Sequence, residues 1–286
     1  MGAAGGGIWK TTKALAGNAN WVNVSDGSPM GTNAIGALMY DPAHTTLYAG
    51  TGEPNASGDS EVGTGVFKSI DGGRTWTALG GNSNFVNRAI STIRVDNFND
   101  PTGMTIYVAS ARGVHGISAT TAGALSTPPS SPDVGVWKST DGGATFTLLD
   151  PIFVNLGTQP GQQFNSSFGS SRGTTAFAVD PTHAGVVYAS AFNVGIWRST
   201  DNGATWTQIH TVSNTGAMRA EFAIATTTDG HTRIYSTEGD SGTPYSRLFV
   251  AEAVESGSPS FVQKTSSNIA DNGYATYNFC NRPVLV

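Results

Sequence analysis

A small group of carboxylates follows short apolar runs in this sequence, at positions where a folded chain would hold an acid and a base in place. Glu53 lies among turn-forming residues in the segment GTGEPN, and Asp240 comes five residues after Tyr235. Two carboxyl groups about 5–9.5 Å apart cleave a glycosidic bond, and their separation sets the stereochemical outcome. The candidate catalytic residues are Glu53, Asp59, Glu238 and Asp240.

The first of these acidic segments has a second chemical interpretation. Glu53, Asp59 and Glu61 lie within nine positions of one another. Their carboxylate oxygens are ligands of the kind that Ca²⁺ binds in proteins. A Ca²⁺ site near these residues therefore stays open as an alternative, and the sequence predicts no other metal or cofactor.

Arginines and an asparagine recur near the start of successive units of the chain. Asn33, Arg88 and Arg172 each lie eight residues before an Asp that ends an apolar run. Because a guanidinium group presents paired donors in one plane, it suits a carboxylate or another planar anion. Such residues also form ordinary ion pairs at loop bases, and that alternative stays open. The candidate ligand-binding residues are Asn33, Arg88, Arg112, Arg172 and Arg219.

These side chains must be positioned by the elements around them, and one turn motif identifies those elements. The copies are SIDGGRTW at 69–76, STDGGATF at 139–146 and STDNGATW at 199–206. The Asp can accept N–H groups of its own turn, the Gly permits positive φ, and the aromatic ring buries about 150–250 Å². We expect a structural role for Ser69, Asp71, Gly73, Trp76, Ser139, Asp141, Gly143, Phe146, Ser199, Asp201, Gly203 and Trp206.

A second pattern precedes each turn: an apolar run that ends in Asp, a short turn, and an apolar run centred on Tyr. Short β-branched and aromatic runs between Gly, Pro and Asp turns predict strands. Each unit then has four strands, A to D, with the motif as the C–D turn. The units are predicted at 33–79, 88–149, 172–209 and 219–264, with strands C and D of another at 7–24 and closing strands at 274–286.

The pattern S-x-D-x-G-x-T-W resembles the Asp-box, or BNR, repeat of the sialidase-like β-propellers, which are grouped with the WD40- and YVTN-like repeat proteins. The resemblance implies an all-β fold and a single β-propeller domain over 1–286, with five blades or as part of a larger propeller. Radial stacking of four-stranded blades buries both faces of each sheet.

The resemblance implies two classes of function. Asp-box repeats occur in sialidases, in xyloglucan-cleaving glycosidases, in sortilin-type receptors and in a photosystem assembly factor. The Arg-Ile-Pro motif of sialidases is absent, and no Tyr–Glu pair can be assigned. The preferred prediction is a secreted or surface propeller that binds a glycan or a protein. The alternative is a glycoside hydrolase, sialidase-like or endoglycanase-like.

In a propeller blade, the C–D turns lie at the edge opposite the B–C and D–A loops. The longer loops are predicted at 52–64, 110–134, 148–173 and 236–245. Long connections are commonly functional, so we expect the ligand at this long-loop edge. Phe153, Phe164, Phe168 and Phe192 are candidate aromatic platforms there.

The bulk properties exclude some partners. A net charge of −5 over 286 residues gives no basic footprint for nucleic acid. No apolar run approaches the roughly 20 residues that span a bilayer, and Cys280 is the single cysteine, so no intrachain disulfide forms. We expect a carbohydrate or protein partner and an extracellular or cell-surface location, although residues 1–7 contain no visible signal peptide.

The turn motif yields a stability prediction. Substitution Trp206→Ala removes the ring that closes the third copy and should lower the free energy of unfolding by about 3–5 kcal/mol. Urea unfolding of the variant and the parent chain measures this difference. A variant with an unchanged transition midpoint would rule out the structural role of this ring.

Overall fold

The computed structural model describes residues 1–54, 61–113, 131–149, 173–192, 194–212, 219–239 and 246–264. In these ranges the chain is all β, apart from one short 3-10 helix at Asn82–Phe85. Strands of two to eight residues alternate with turns rich in Gly and Asp. The chain divides into two compact units, Met1–Thr147 and Leu148–Val286.

The first unit contains three antiparallel sheets whose strands follow one another in chain order. The first sheet comprises β1 (Gly2–Ala3), β2 (Gly7–Lys10) and β3 (Val22–Asn23). The second comprises β4 (Ile35–Asp41), β5 (Thr46–Thr51), β6 (Val66–Ser69) and β7 (Thr77–Ala78). The third comprises β8 (Arg88–Val95), β9 (Ile106–Arg112), β10 (Gly135–Ser139) and β11 (Thr147–Leu148), and the unit boundary falls within β11.

The second unit contains two further four-stranded antiparallel sheets in chain order. One comprises β12 (Thr174–Val179), β13 (Val187–Ala191), β14 (Gly195–Ser199) and β15 (Thr207–Thr211). The other comprises β16 (Arg219–Thr226), β17 (Thr232–Gly239), β18 (Ser246–Ala251) and β19 (Val262–Gln263). The prediction of all-β units with four strands each is therefore confirmed for four of the sheets.

The N-terminal sheet differs from the prediction of two strands. Gly2 and Ala3 pair with Ile8 and Gly7, so β1 adds a third strand beside β2. The intervening glycines allow this tight reversal, and Gly7 itself has a φ of +73°. The predicted closing strands at 274–286 lie outside the described residues.

Each repeated turn joins the third and fourth strands of its sheet and is closed by its own Asp. Asp71 Oδ1 accepts hydrogen bonds from the Ser69 hydroxyl at 2.8 Å and from the N–H of Thr75 at 2.9 Å. Its Oδ2 accepts the Thr75 hydroxyl at 2.7 Å, while the Gly73 N–H donates to Ser69 Oγ at 2.8 Å. The copies around Asp141 and Asp201 repeat this network. These polar groups thus form hydrogen bonds with partners no more than four positions away in the chain.

A glycine in each turn lies against an apolar side chain that follows an earlier strand. A Cβ added to Gly73 would meet Val24 at 3.4 Å, and one added to Gly143 would meet Leu79 at 2.7 Å. Val24 and Leu79 each follow the last strand of the preceding sheet in the first unit. The closing rings of all three turns are buried: Trp76, Phe146 and Trp206. Each turn in the first unit therefore packs against the neighbouring sheet.

Buried aspartates at the turns between first and second strands make further contacts between sheets. Asp41 and Asp180 are at most 1% exposed. In the first unit, the Asn97 side chain donates to Asp41 at 2.7 Å across adjacent sheets. In the second, the Thr232 hydroxyl donates to Asp180 at 2.6 Å. These Asp residues end the apolar runs that the sequence pattern identified.

The turn network predicts a dependence of stability on pH. Hydrogen bonds from the Thr145 hydroxyl, the Thr145 N–H and the Ser139 hydroxyl lower the pKa of Asp141 to about 2. An unfolded Asp titrates near about 3.9. Since the folded pKa is the lower one, the stability contributed by Asp141 is present above about pH 4. It is lost as the pH falls through about 2.

Substitution Asp141→Asn should therefore lower the free energy of unfolding at neutral pH and make its decline between about pH 4 and 2 less steep. Urea unfolding across this pH range measures both effects. Asp26→Asn is the control, because the exposed Asp26 carboxylate accepts no hydrogen bond within the described ranges. If the free energy of unfolding declined equally steeply between about pH 4 and 2 in the parent and in Asp141→Asn, the prediction would be contradicted.

Candidate functional site

The structure describes some of the predicted site residues. Asp59, Asp240 and Arg172 lie outside the described residues, as do Phe153, Phe164 and Phe168. The backbone of Arg219 begins β16, but its side chain is also outside the description. The described candidates are Asn33, Glu53, Arg88 and Arg112 in the first unit and Glu238 in the second.

Glu53 is half-buried and is fixed by the backbone at the end of β5. The preceding Gly52 has a φ of +90°, and a Cβ at this position would meet the Ala89 Cα at 2.7 Å. The Glu53 N–H donates to the Glu61 carbonyl at 2.8 Å. Because only glycine fits at position 52, the chain leaves the sheet in one defined direction.

The segment 61–63 connects this strand end to the next sheet. The Gly63 N–H donates to the Arg88 carbonyl at 2.8 Å, and the Asn87 N–H donates to the Gly63 carbonyl at 3.1 Å. A Cβ on Gly113, the residue after β9, would meet the Val62 Cα at 2.7 Å. The structure therefore brings the ends that carry Glu53, Arg88 and Arg112 to one edge of two neighbouring sheets.

Arg88 and Arg112 are directly opposite each other in the β8–β9 pair. The Arg88 Nε donates to the Pro132 carbonyl, and its Nη2 donates to the Ser131 carbonyl at 3.3 Å. Burial lowers the pKa of Arg88, Asp133 opposes this effect, and the neighbouring Arg112 adds to it. Arg88 stays cationic all the same, since an arginine keeps its proton in proteins.

Asn33 lies just before β4. Its side chain is exposed, and its carbonyl accepts the Gly7 N–H at 2.8 Å. The following residue, Ala34, accepts the Gly52 N–H at 2.8 Å. Asn33 thus contacts the first sheet through its backbone and leaves its amide at the surface.

Glu238 occupies a different environment, in the second unit. Its side chain is fully buried, and Oε1 makes a short contact with Nε2 of His210, which is 10% exposed. The imidazole stacks on Phe261 at 4.2 Å between ring centroids and packs against Phe249 at 5.1 Å. Arg247 is the cross-strand neighbour of Glu238 in β18. The pair joins β15 to β17 of the adjacent sheet.

Sequence reasoning identified Glu238 but missed His210. His210 lies in β15, four residues after the Trp206 that closes the turn. Its apolar neighbour Ile209 is the only feature of this strand that stands out in the sequence, and it does not point to a buried histidine. Its partner is 28 residues away in the chain, so no local spacing indicates the pair. Phe192, a predicted aromatic platform, is fully buried and belongs to the core.

Two features of the described part of the chain bear on metals and membranes. Within it, no group of three or more His, Cys, Asp and Glu side chains is arranged to hold a metal ion. The Ca²⁺ prediction rests partly on Asp59 and stays a prediction. Over the same ranges, no helix has the length and apolar character needed to cross a bilayer.

The chain matches no family model. It is 27% identical to a xyloglucanase from a Paenibacillus species over 213 residues, which cover 67% of this chain and 18% of that protein. The chain thus spans about a fifth of the length of the curated relative it matches.

Solved structures give a second comparison. The fold is similar to the crystal structure of the GH74 enzyme of Niastella koreensis, with a TM-score of 0.55 and 19% identity, over 92% of this chain and 35% of that one. The GH74 xyloglucanase of Xanthomonas campestris has a TM-score of 0.47 and 16% identity, over 84% of this chain and 40% of that one. The first likeness supports a β-propeller-like fold, and the number of blades stays a prediction.

The His210–Glu238 pair yields a prediction of energetic coupling. In a double-mutant cycle of His210→Ala and Glu238→Gln, the coupling in the free energy of unfolding should be about 1–3 kcal/mol, because the pair is buried and in contact. Urea unfolding of the two single variants and the double variant measures it. The exposed pair of Arg233 and Glu252, at 2.7 Å, is the matched control with a smaller coupling. If the two single substitutions lowered the free energy of unfolding additively, the predicted coupling between His210 and Glu238 would be wrong.

Proposed function

We propose that this chain is part of an extracellular glycoside hydrolase whose Asp-box propeller binds a polysaccharide of the xyloglucan type at the long-loop edge. The observation that carries the proposal is the similarity to a xyloglucanase over 213 residues. The fold likeness to a GH74 enzyme is compatible with it. The match covers 18% of that relative, so the activity of the whole enzyme is part of the proposal.

Glu53 is the best-placed described carboxylate for acid–base chemistry on a glycan. It is half-buried, it follows a sterically fixed glycine, and its backbone is tied to Glu61. A fixed carboxylate loses little freedom when a reacting group comes within reach, which favours proton transfer. Arg88 and Arg112 lie at the same edge of these two sheets.

Glu238 suits a positioning role instead. A fully buried carboxylate in contact with an imidazole has no free face for a bulky sugar. Its burial and its bond to His210 hold β15 and β17 together at the long-loop end of the second unit. In this proposal, Glu238 shapes the edge and does not touch the substrate.

A non-catalytic glycan-binding role is the second candidate. Glycosidic cleavage uses two carboxyl groups, and the other predicted acids, Asp59 and Asp240, lie outside the described residues. One carboxylate with two arginines is sufficient to bind a sugar by hydrogen bonds. Both candidates place the ligand at the same edge, so one experiment separates them.

The test measures reducing ends released from xyloglucan by the parent chain and by Glu53→Gln. If Glu53 is an acid or a base, the substitution should lower kcat/KM by about 100-fold or more, because it removes the proton transfer and keeps the shape of the side chain. Glu252→Gln is the control, since Glu252 is exposed and pairs with Arg233 in the second unit.

Equal turnover by the parent chain and Glu53→Gln would remove Glu53 from the catalytic group. Retention of the parent chain in a xyloglucan-containing gel without release of reducing ends would favour the binding role. A chain that neither binds nor cleaves xyloglucan would overturn the proposed substrate.

A further inference from the structure

The turn between β18 and β19 in the second unit is built differently from the three repeated turns. It joins the third and fourth strands of its sheet, as they do, but its sequence, EAVESGSPSF at 252–261, contains no Asp. The carboxylate that ties each repeated turn to its own backbone is therefore missing here. Side chains and backbone groups from outside the turn take its place.

One outside contact comes from the adjacent sheet. Arg198 lies in β14 and is buried. Its Nη1 donates to the Val254 carbonyl at 2.8 Å, and its Nη2 donates to the Gly257 carbonyl at 2.9 Å. This guanidinium thus binds two carbonyls of the β18–β19 turn.

The second outside contact runs through the Glu255 carboxylate. Its Oε2 accepts the Thr232 N–H at 3.0 Å, and its Oε1 lies 2.6 Å from Nδ1 of His231. The Val254 N–H donates to the Thr232 carbonyl at 3.0 Å, and the Thr232 hydroxyl donates to Asp180 of the adjacent sheet at 2.6 Å. Glu255 therefore joins the turn to the start of β17 and, through Thr232, to the neighbouring sheet.

The contact between His231 and Glu255 depends on a proton that solvent can reach. The His231 side chain is 52% exposed, whereas Glu255 is 8% exposed. An imidazole changes charge near neutral pH, and a hydrogen bond from imidazolium to carboxylate is roughly twice as strong as a neutral one. The strength of this contact therefore changes with the protonation of His231.

Other ionisable groups surround this pair. Those that face His231 and Glu255 are Asp229 on the same turn, the Arg233–Glu252 ion pair beside it, and Asp180, His183, Tyr188 and Arg198 from the adjacent sheet. His183 is a second imidazole at this position, with its Nδ1 at 3.1 Å from Asp180 and 3.3 Å from the Thr232 hydroxyl. A test of His231 therefore needs a variant of His183 beside it.

We propose that the β18–β19 turn is a pH-dependent switch, which is held against β17 when His231 is protonated and loosens when His231 loses its proton. The three repeated turns, which are closed by their own Asp, have no such switch. This inference concerns the fold of the second unit and does not depend on the proposed function.

The pKa shifts define the pH range in which the turn is held. The hydrogen bond to Glu255 and its charge raise the pKa of His231, and the charge of Asp229 adds to this. The stability from His231 is thus present below its unfolded pKa of about 6.5 and is lost as the pH rises through the folded pKa. Burial raises the pKa of Glu255, but the Thr232 N–H and His231 lower it overall. Its contribution is present above about pH 4.3 and is lost as the pH falls through its folded pKa.

The far end of the turn shows what the switch would move. Phe261 ends the turn, and its ring stacks on His210 of β15 at 4.2 Å between centroids. His210 in turn contacts Glu238 of β17. Loosening of the turn would withdraw Phe261 from His210 and so weaken the packing of the two sheets of the second unit.

Amide hydrogen exchange followed by NMR tests the switch in the parent chain. The protection of the Thr232 and Val254 amides, corrected for the intrinsic pH dependence of exchange, should fall about five- to tenfold between about pH 5.5 and 8. The fall should follow the titration of the His231 ring, with a midpoint above about 6.5. The amides of Gly73, Gly143 and Gly203, which donate to Ser hydroxyls, are the internal control and should keep their protection.

Variants identify the group that is responsible. His231→Gln and Glu255→Gln should each remove the pH dependence at Val254 and leave its protection at the lower level of the parent near pH 8, whereas His183→Gln should retain the pH dependence. His44→Gln is the matched control, because His44 also bonds to a buried Asp, at 2.6 Å from Asp41, but lies in the first unit. It should leave the Val254 profile unchanged.

Equal protection of Val254 at about pH 5.5 and 8 in the parent chain would overturn the switch. A pH dependence that persists in folded His231→Gln, or that disappears in His183→Gln, would also overturn the role of His231. If His231→Gln fails to fold, the ring titration of the parent chain decides, since a His231 midpoint at or below about 6.5 contradicts the proposal. None of these measurements involves a sugar, so the switch and the proposed hydrolase activity succeed or fail separately.

Discussion

The close approach of the turn glycines to their apolar neighbours is the constraint on which the rest of the structure depends. Gly73, Gly143 and Gly203 have φ values of +88°, +88° and +90°. A Cβ at Gly203 would meet Leu149 at 2.5 Å, as one at Gly143 would meet Leu79 at 2.7 Å. Any side chain would both strain the backbone and push the packed residue away. In each turn the N–H of this glycine donates to the Ser hydroxyl, which itself donates to the Asp carboxylate. The closing aromatic ring of each turn is buried.

The proposed function places its chemistry at the opposite ends of the strands from these packed turns. There, Gly52 and Gly63 approach the backbone of β8, which fixes where Glu53 and Arg88 leave their strands. Backbone contacts thus position the strand ends that carry these charged side chains. The strand register likewise sets Arg88 and Arg112 opposite each other in β8 and β9.

Local spacing explains which parts of this account were predictable from sequence. The turn network uses residues two to four positions apart, such as Ser69, Asp71 and Thr75, so its pattern predicted the turns and the four-stranded sheets. The contact of His210 with Glu238 depends on how two sheets pack, and no pattern in either strand encodes it. The third N-terminal strand was missed because two residues, Gly2 and Ala3, carry no strand signal. The loop acids Asp59 and Asp240 lie outside the described residues and stay predictions.

The central claim is that the repeated turns hold the sheets while the opposite edge binds the ligand. Amide chemical-shift mapping of the chain with xyloglucan oligosaccharides tests it most directly, because both edges carry assignable glycine signals. The account predicts shifts at Gly52, Gly63, Arg88 and Arg112, with Gly73, Gly143 and Gly203 unmoved. Shifts concentrated at those three turn glycines, with the opposite edge unchanged, would contradict it.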